Sequence, residues 1–158
     1  MRVLVIEDNV DLRDYLRLAL ESQAYEVFTA RNGQEALGYL NGHPVDVVLT
    51  DLFMPEMDGI ETISTLRKQF PSVRVVAMSG RPGVDYLSVA RQLRERGDTS
   101  HALLIAMTGY GQKDDRQRAV DAGFDYHFVK PTDPRQIHAA IEQGRPGERA
   151  AGQTQSSS

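Results

Sequence analysis

Cysteine is absent from the 158 residues, so disulfides and thiolate metal sites are excluded, and a reducing compartment is the natural setting. Long apolar runs are missing as well, and none approaches the roughly 18 residues of a membrane-spanning helix. Positive charge is not in excess. Lys and Arg total 18 against 22 Asp and Glu, a net charge of −4, which leaves no basic footprint for nucleic acid. No Gly-x-x-x-x-Gly-Lys run occurs, so a P-loop nucleotide site is not expected. The chain reaches Glu7 and Asp8 too early for a secretory signal, and a cytoplasmic protein is expected. What remains is an ordinary globular composition, 41% hydrophobic and 25% charged, at a length that suits one domain.

Short β-branched or aliphatic runs recur at Val3–Ile6, Glu26–Thr29, Val45–Thr50, Val73–Met78, Ala102–Met107 and Tyr126–Val129. Their length and lack of polar alternation predict strands buried on both faces, as in a parallel sheet. Helical spacing fills the intervals: Leu12, Leu16, Ala19 and Leu20 share one face, as do Ile60, Ile63 and Leu66. Asn32-Gly33 predicts a turn into a helix over Gln34–Leu40. Alternating strands and helices predict a doubly wound α/β fold. Residues 144–158 contain no Ile, Leu, Val or Phe and are expected to form a disordered tail behind a domain over 1–143.

In an open parallel sheet, ligands bind beyond the carboxyl ends of the strands, where strand order reverses. Glu7 and Asp8 follow the first run, and Asp51 closes the third. Ser79 and Thr108 close later runs, each followed by glycine, and Lys130-Pro131 follows the last. Three carboxylates offer an all-oxygen site of the kind that suits Mg²⁺ shared with a phosphate. Asp51 is then placed to attack phosphorus in line, with a hydroxyl and Lys130 holding the equatorial oxygens. Each of these residues alone would pass for a solvated loop residue, a helix cap or a turn. Their joint placement at strand ends is what points to chemistry.

Several motifs resemble the receiver domain of two-component response regulators over nearly all of residues 1–143. They are Val3-Leu4-Val5-Ile6-Glu7-Asp8-Asn9, Ala30-Arg31-Asn32-Gly33-Gln34-Glu35-Ala36-Leu37, Asp46 through Gly59, Ala122-Gly123-Phe124-Asp125 and Val129-Lys130-Pro131. The resemblance implies a flavodoxin-like receiver fold in which Asp51 accepts phosphate from a histidine kinase or phosphotransfer protein. It implies Mg²⁺ held by Glu7, Asp8, Asp51 and the backbone carbonyl of Phe53. A hydroxyl residue and Lys130 would contact the phosphoryl group. His127 stands where the family often carries a switching aromatic. The output implied is altered binding to an unidentified downstream protein, with no enzymatic activity beyond slow self-dephosphorylation and with no nucleic-acid or membrane partner. His101–Pro131 is similar to the receivers of hybrid histidine kinases, whereas Met54–Gly80 looks more like free-standing regulators.

One feature departs from the family. Ordinary receivers have five βα units, and this chain predicts six. Residues 55–81 resemble an additional unit: Pro55-Glu56-Met57-Asp58 returns as Pro82-Gly83-Val84-Asp85, and Ala77-Met78-Ser79-Gly80 as Ala106-Met107-Thr108-Gly109. Two arrangements follow. If the Ala102–Met107 strand lies beside Asp51, Thr108 and Lys130 complete the site. If Val73–Met78 lies there, Ser79 is the hydroxyl and Lys130 is about 14 Å away at roughly 4.8 Å per strand. Sequential strands usually pair, which favours the second.

Three rival functions stand beside the phosphoacceptor. A pseudo-receiver would keep the fold as a protein-interaction module and hold no phosphate. A haloacid-dehalogenase-type phosphatase needs a second acid two residues after the nucleophile, where this chain has Phe53. The chain could also be the detached receiver of a hybrid histidine kinase.

Overall fold

The computed structural model describes residues 1–52, 59–79, 86–108, 113–130 and 132–144. Six strands and six helices alternate along the chain: β1 (Arg2–Ile6), α1 (Val10–Glu21), β2 (Glu26–Ala30), α2 (Gly33–Leu40), β3 (Val47–Asp51), α3 (Gly59–Gln69), β4 (Arg74–Ser79), α4 (Tyr86–Glu95), β5 (Leu103–Thr108), α5 (Lys113–Ala122), β6 (Tyr126–Val129) and α6 (Pro134–Gln143). The strands form one parallel sheet in the order β2-β1-β3-β4-β5-β6. The fold is therefore the flavodoxin-like α/β fold, with six βα units in place of five. The tail expected over 144–158 lies outside the described residues except for Gly144, which is the C-cap of α6.

The four central runs become strands because each has two buried faces to fill, whereas the edge strands β2 and β6 are only partly buried, having a neighbour on one side alone. Val3, Val5, Val47, Leu49, Val76, Met78, Leu103, Ile105 and Met107 pack on one face against Leu16 and Leu20 of α1 and Ile137, Ala140 and Ile141 of α6. Leu4, Ile6, Val48, Ala77, Leu104 and Ala106 point the other way. They meet α2 to α5 through Ala36, Leu40, Ile63, Leu66, Ala90, Leu93 and Ala119. The period of two along each strand thus feeds two helical layers. Within the span expected to be additional, α3 packs in the larger helical layer and β4 in the sheet interior.

Helix starts follow ordinary capping chemistry. Asn9 Oδ1 accepts from the Leu12 N–H at 2.9 Å, Asn32 Oδ1 from Glu35 N–H at 2.8 Å, and Asp133 from Arg135 N–H with Pro134 opening α6. The α4–β5 and α5–β6 connections are tied by one partly buried guanidinium. Arg94 of α4 donates to the carbonyls of Gly123, Ser100 and Ala102 and to Asp125 Oδ2, at 2.6–2.8 Å. The same Asp125 oxygen accepts the Leu104 N–H at 2.9 Å, so two helix–strand connections share one charge pair. Gly123 is required beside it: its φ is +113°, and a Cβ there would lie 2.7 Å from Arg94 Cγ.

Candidate functional site

The chain switches direction in the sheet between β1 and β3, since β2 lies on one side of β1 and β3 on the other. The crevice at their carboxyl ends is where such sheets bind ligands. Glu7 and Asp8 leave β1 into this crevice, and Asp51 is the last residue of β3. One carboxylate oxygen from each of the three lies within 4.8 Å of the others.

The local chain geometry explains this convergence. Backbone bonding runs one residue past the strand ends, Glu7 N–H to the Ala30 carbonyl and Leu52 N–H to the Met78 carbonyl, both at 3.0 Å. This holds the first acid and the residue after Asp51 on the rigid sheet. Glu7 is only 1% exposed. Its Oε1 accepts the Asn9 N–H at 3.1 Å, and Arg13 Nη1 reaches back from α1 to the Glu7 carbonyl at 3.0 Å. Thr50, fully buried, donates to the Asp51 carbonyl at 3.1 Å.

The electrostatics favour a cation. Burial, then the negative charge of Asp51, push the Glu7 carboxyl up to about 8, with further upward pressure from the adjoining Asp8 and Asp51 side chains. Glu7 Oε2 and Asp8 Oδ1 are buried and have no hydrogen-bond donor among the described residues. Carboxylate oxygens buried without donors beside a third acid match the oxygen donor set of a small hard divalent ion. The residues therefore fit Mg²⁺, as the resemblance implied, and the fit rests on their own geometry. Phe53, whose carbonyl the resemblance adds to the set, lies outside the described residues.

The strand order decides which hydroxyl adjoins the acids. β4 lies directly beside β3, with Asp51 paired to Met78, so the next residue, Ser79, stands at the neighbouring strand end. Ser79 is 3% exposed and its Oγ has no hydrogen-bond partner among the described residues. Thr108 closes β5, two strands from Asp51, and its side chain lies outside the described residues. Lys130 follows β6, three strands from Asp51. The arrangement that would have joined Thr108 and Lys130 to Asp51 is not the one formed. The physical reason is that β4 pairs with its chain neighbour β3 and fills the place β5 would need. His127 lies half-buried in β6, paired in register with Ala106, and is likewise three strands away.

Asn9, Arg13 and Thr50 also shape the site, and the sequence reading passed over them as functional residues. Asn9 had a signal, a capping residue directly before a helical period, and Arg13 stands four residues further on. Thr50 had none, being one more buried residue of a strand.

A family model described as the response regulator receiver domain matches residues 3–93, which is more than half of the chain. The chain belongs to the response regulator receiver family. The matched span contains Glu7, Asp8, Asp51 and Ser79 and ends before Thr108 and Lys130. The receiver is 33% identical over 143 residues to an uncharacterized 14.6 kDa protein in the sodA1 3′ region of Leptolyngbya boryana, covering 90% of this chain and 88% of that one. It is 31% identical over 136 residues to the transcriptional regulatory protein ResD of Bacillus subtilis, covering 86% of this chain and 44% of ResD. With the virulence transcriptional regulatory protein PhoP of Salmonella typhimurium it shares 39% identity over 83 residues, or 52% of this chain and 37% of PhoP. The receiver thus spans less than half the length of both transcriptional regulators. Among solved structures it resembles a receiver domain protein of Clostridium thermocellum, with TM-score 0.57, 22% identity and coverage of 95% and 98%. It also resembles the chemotaxis protein CheY4 of Vibrio cholerae, with TM-score 0.53, 22% identity and coverage of 90% and 96%. These two likenesses concern the fold. No helix among the described residues is long and apolar enough to cross a membrane.

Proposed function

We propose that this receiver takes a phosphoryl group from a histidine kinase or phosphotransfer protein onto Asp51, using Mg²⁺, and that the modified surface changes the binding of a partner protein. The observation that carries the reading is the convergence of Glu7, Asp8 and Asp51 within 4.8 Å at the sheet's switch point. Glu7, Asp8 and Asp51 would hold the metal, with the Phe53 carbonyl as the remaining protein ligand. Bound Mg²⁺ supplies charge neutralisation among the acids and the incoming phosphoryl oxygens. An Asp51 carboxylate oxygen attacks phosphorus in line. The new O–P bond forms as the P–N bond to the donor imidazole breaks, and the imidazole leaves with its electron pair and takes a proton. Ser79 Oγ, buried and uncommitted, donates to an equatorial phosphoryl oxygen. Lys130 takes no part, because three strand intervals separate β6 from β3. The self-hydrolysis of the acyl phosphate is expected to be slow, so the chain acts as a signalling acceptor.

A second reading has one observation in its favour. The distance of Lys130 from Asp51 would also suit a pseudo-receiver, a protein-interaction module that holds no phosphate. Intact mass after incubation with acetyl phosphate and Mg²⁺ separates the two. The phosphoacceptor reading expects a gain of one phosphoryl group, lost in Asp51→Asn and on removal of the metal by EDTA. No gain in the wild-type chain overturns it and leaves the interaction module.

A further inference from the structure

The displaced lysine stands at the mouth of a cleft on the α1–α6 face of the sheet. This cleft has a volume of about 270 Å³ and is lined by Leu12, Tyr15, Leu16, Met107, Lys130, Thr132 and Ile137. Its walls come from three elements: α1, the end of β5, and α6 with the segment leading into it. Leu16 and Ile137 are fully buried members of the core on this face, and Met107 is 8% exposed, so the floor is fixed by core packing.

The polar groups of the cleft are unequally committed. Tyr15 donates its hydroxyl to the Thr132 carbonyl at 2.6 Å, which ties α1 to the β6–α6 connection. The Thr132 hydroxyl is directed at Met107 Sδ at 3.7 Å. Lys130 is different. It is exposed, and among the described residues its ammonium makes no ion pair. The acid nearest in sequence, Asp133, is occupied by Arg135, which bonds it through both its backbone N–H and its guanidinium. The cleft therefore combines an apolar floor with one ammonium at its rim that makes no ion pair among the described residues.

We propose that this cleft binds a small amphipathic monocarboxylate, with its apolar body against Leu12 and Met107, above the buried Leu16 and Ile137, and its carboxylate on Lys130 Nζ. One cation at the rim matches one negative charge. The cleft lies just below the usual volume range of drug-sized sites, which limits the body to a short alkyl chain or single ring. The inference does not depend on the phosphoacceptor reading, because the test uses unphosphorylated full-length protein without metal.

Sodium octanoate, octan-1-ol and octylammonium chloride share one tail and differ in head-group charge. Each is titrated into ¹⁵N-labelled protein and followed by amide shifts and by calorimetry. Octanoate is expected to saturate, with shifts at Leu12, Leu16, Thr132 and Ile137, and to bind more tightly than octan-1-ol and octylammonium. Lys130→Met should weaken octanoate by about fivefold, the scale of one exposed ion pair, while leaving octan-1-ol unchanged. The unchanged octan-1-ol affinity shows that the variant's cleft is intact. The proposal is overturned by non-saturating shifts, by saturation mapping instead to the exposed Val10–Leu18 side of α1, or by equal affinity for the acid and the alcohol.

Discussion

Lys130→Ala should leave the rate of Asp51 phosphorylation almost unchanged. β6 lies three positions from β3, a separation of about 14 Å at ~4.8 Å per strand. A lysine stem spans about 6 Å, so the ammonium stops roughly 8 Å short of the phosphoryl group. At that distance in water two unit charges interact by about 0.5 kcal/mol, and physiological salt screens this to about 0.2 kcal/mol. The expected loss in rate is under about twofold. A lysine in direct contact would behave very differently, since removing a single preorganised donor commonly costs about 10² to 10³ in rate. Deleting residues 55–81 supplies that contrast. It removes the whole of α3 and β4 and leaves β5 free to pair with β3, which puts the lysine strand two positions from Asp51. In the deletion chain, once circular dichroism and a cooperative melt confirm folding, Lys130→Ala should slow phosphorylation by about 10²-fold. The assay is the rate of mass gain with acetyl phosphate and Mg²⁺ for the four chains. A tenfold loss from Lys130→Ala in the full-length chain would refute the reasoning, because the lysine would then reach Asp51 across two intervening strands.

Three further outcomes are expected. Ser79→Ala should leave the melting temperature unchanged or raise it slightly, because it removes a buried hydroxyl without a partner. The same change should slow Asp51 phosphorylation at least several-fold, and a variant that is destabilised but fully active would contradict this. Arg94→Met should cost about 3 kcal/mol or more in denaturant unfolding, since it strands the half-buried Asp125 carboxylate and three carbonyls; a loss below about 1 kcal/mol would show that the pair is not needed. The third concerns pH. Glu7 binds a proton more tightly when folded, with its carboxyl raised from 4.5 to about 8, so the folded state holds more protons between those values. The metal-free protein should therefore be most stable below about pH 4.5 as far as Glu7 is concerned, and lose that contribution as pH rises towards 8. Mg²⁺ should restore stability at the alkaline end, and Glu7→Gln should flatten the metal-free slope; chemical unfolding across pH with EDTA or Mg²⁺ checks both.

Much of the fold could be read from the chain because buried strands leave continuous apolar runs. All six runs became strands, with bounds shifted by no more than two residues, and the faces of Leu16–Leu20 and Ile63–Leu66 are buried where helical spacing put them. The acids at strand ends were legible for the same reason: a carboxylate directly after an apolar run has few places to go except the sheet's carboxyl edge. Strand order was legible only as a preference, for the arrangement that formed. Ala77-Met78-Ser79 and Ala106-Met107-Thr108 offer the β3 edge nearly the same side chains, and hydrogen bonding to a neighbouring strand is blind to which one supplies it. Only chain connectivity distinguished them, through the preference of consecutive strands to pair. The Arg94–Asp125 tie was invisible for another reason: 31 residues separate the partners, and the Ala122-Gly123-Phe124-Asp125 motif does not say which cation its acid meets.

The most direct test of the central claim is chemical identification of the phosphorylated residue. Borohydride reduces an aspartyl phosphate to homoserine, which marks the site permanently for peptide mass spectrometry. After treatment with acetyl phosphate and Mg²⁺, homoserine is expected at position 51 and at no other aspartate, and its yield should survive Lys130→Ala. Homoserine elsewhere, or none at position 51 in the wild-type chain, would contradict the account.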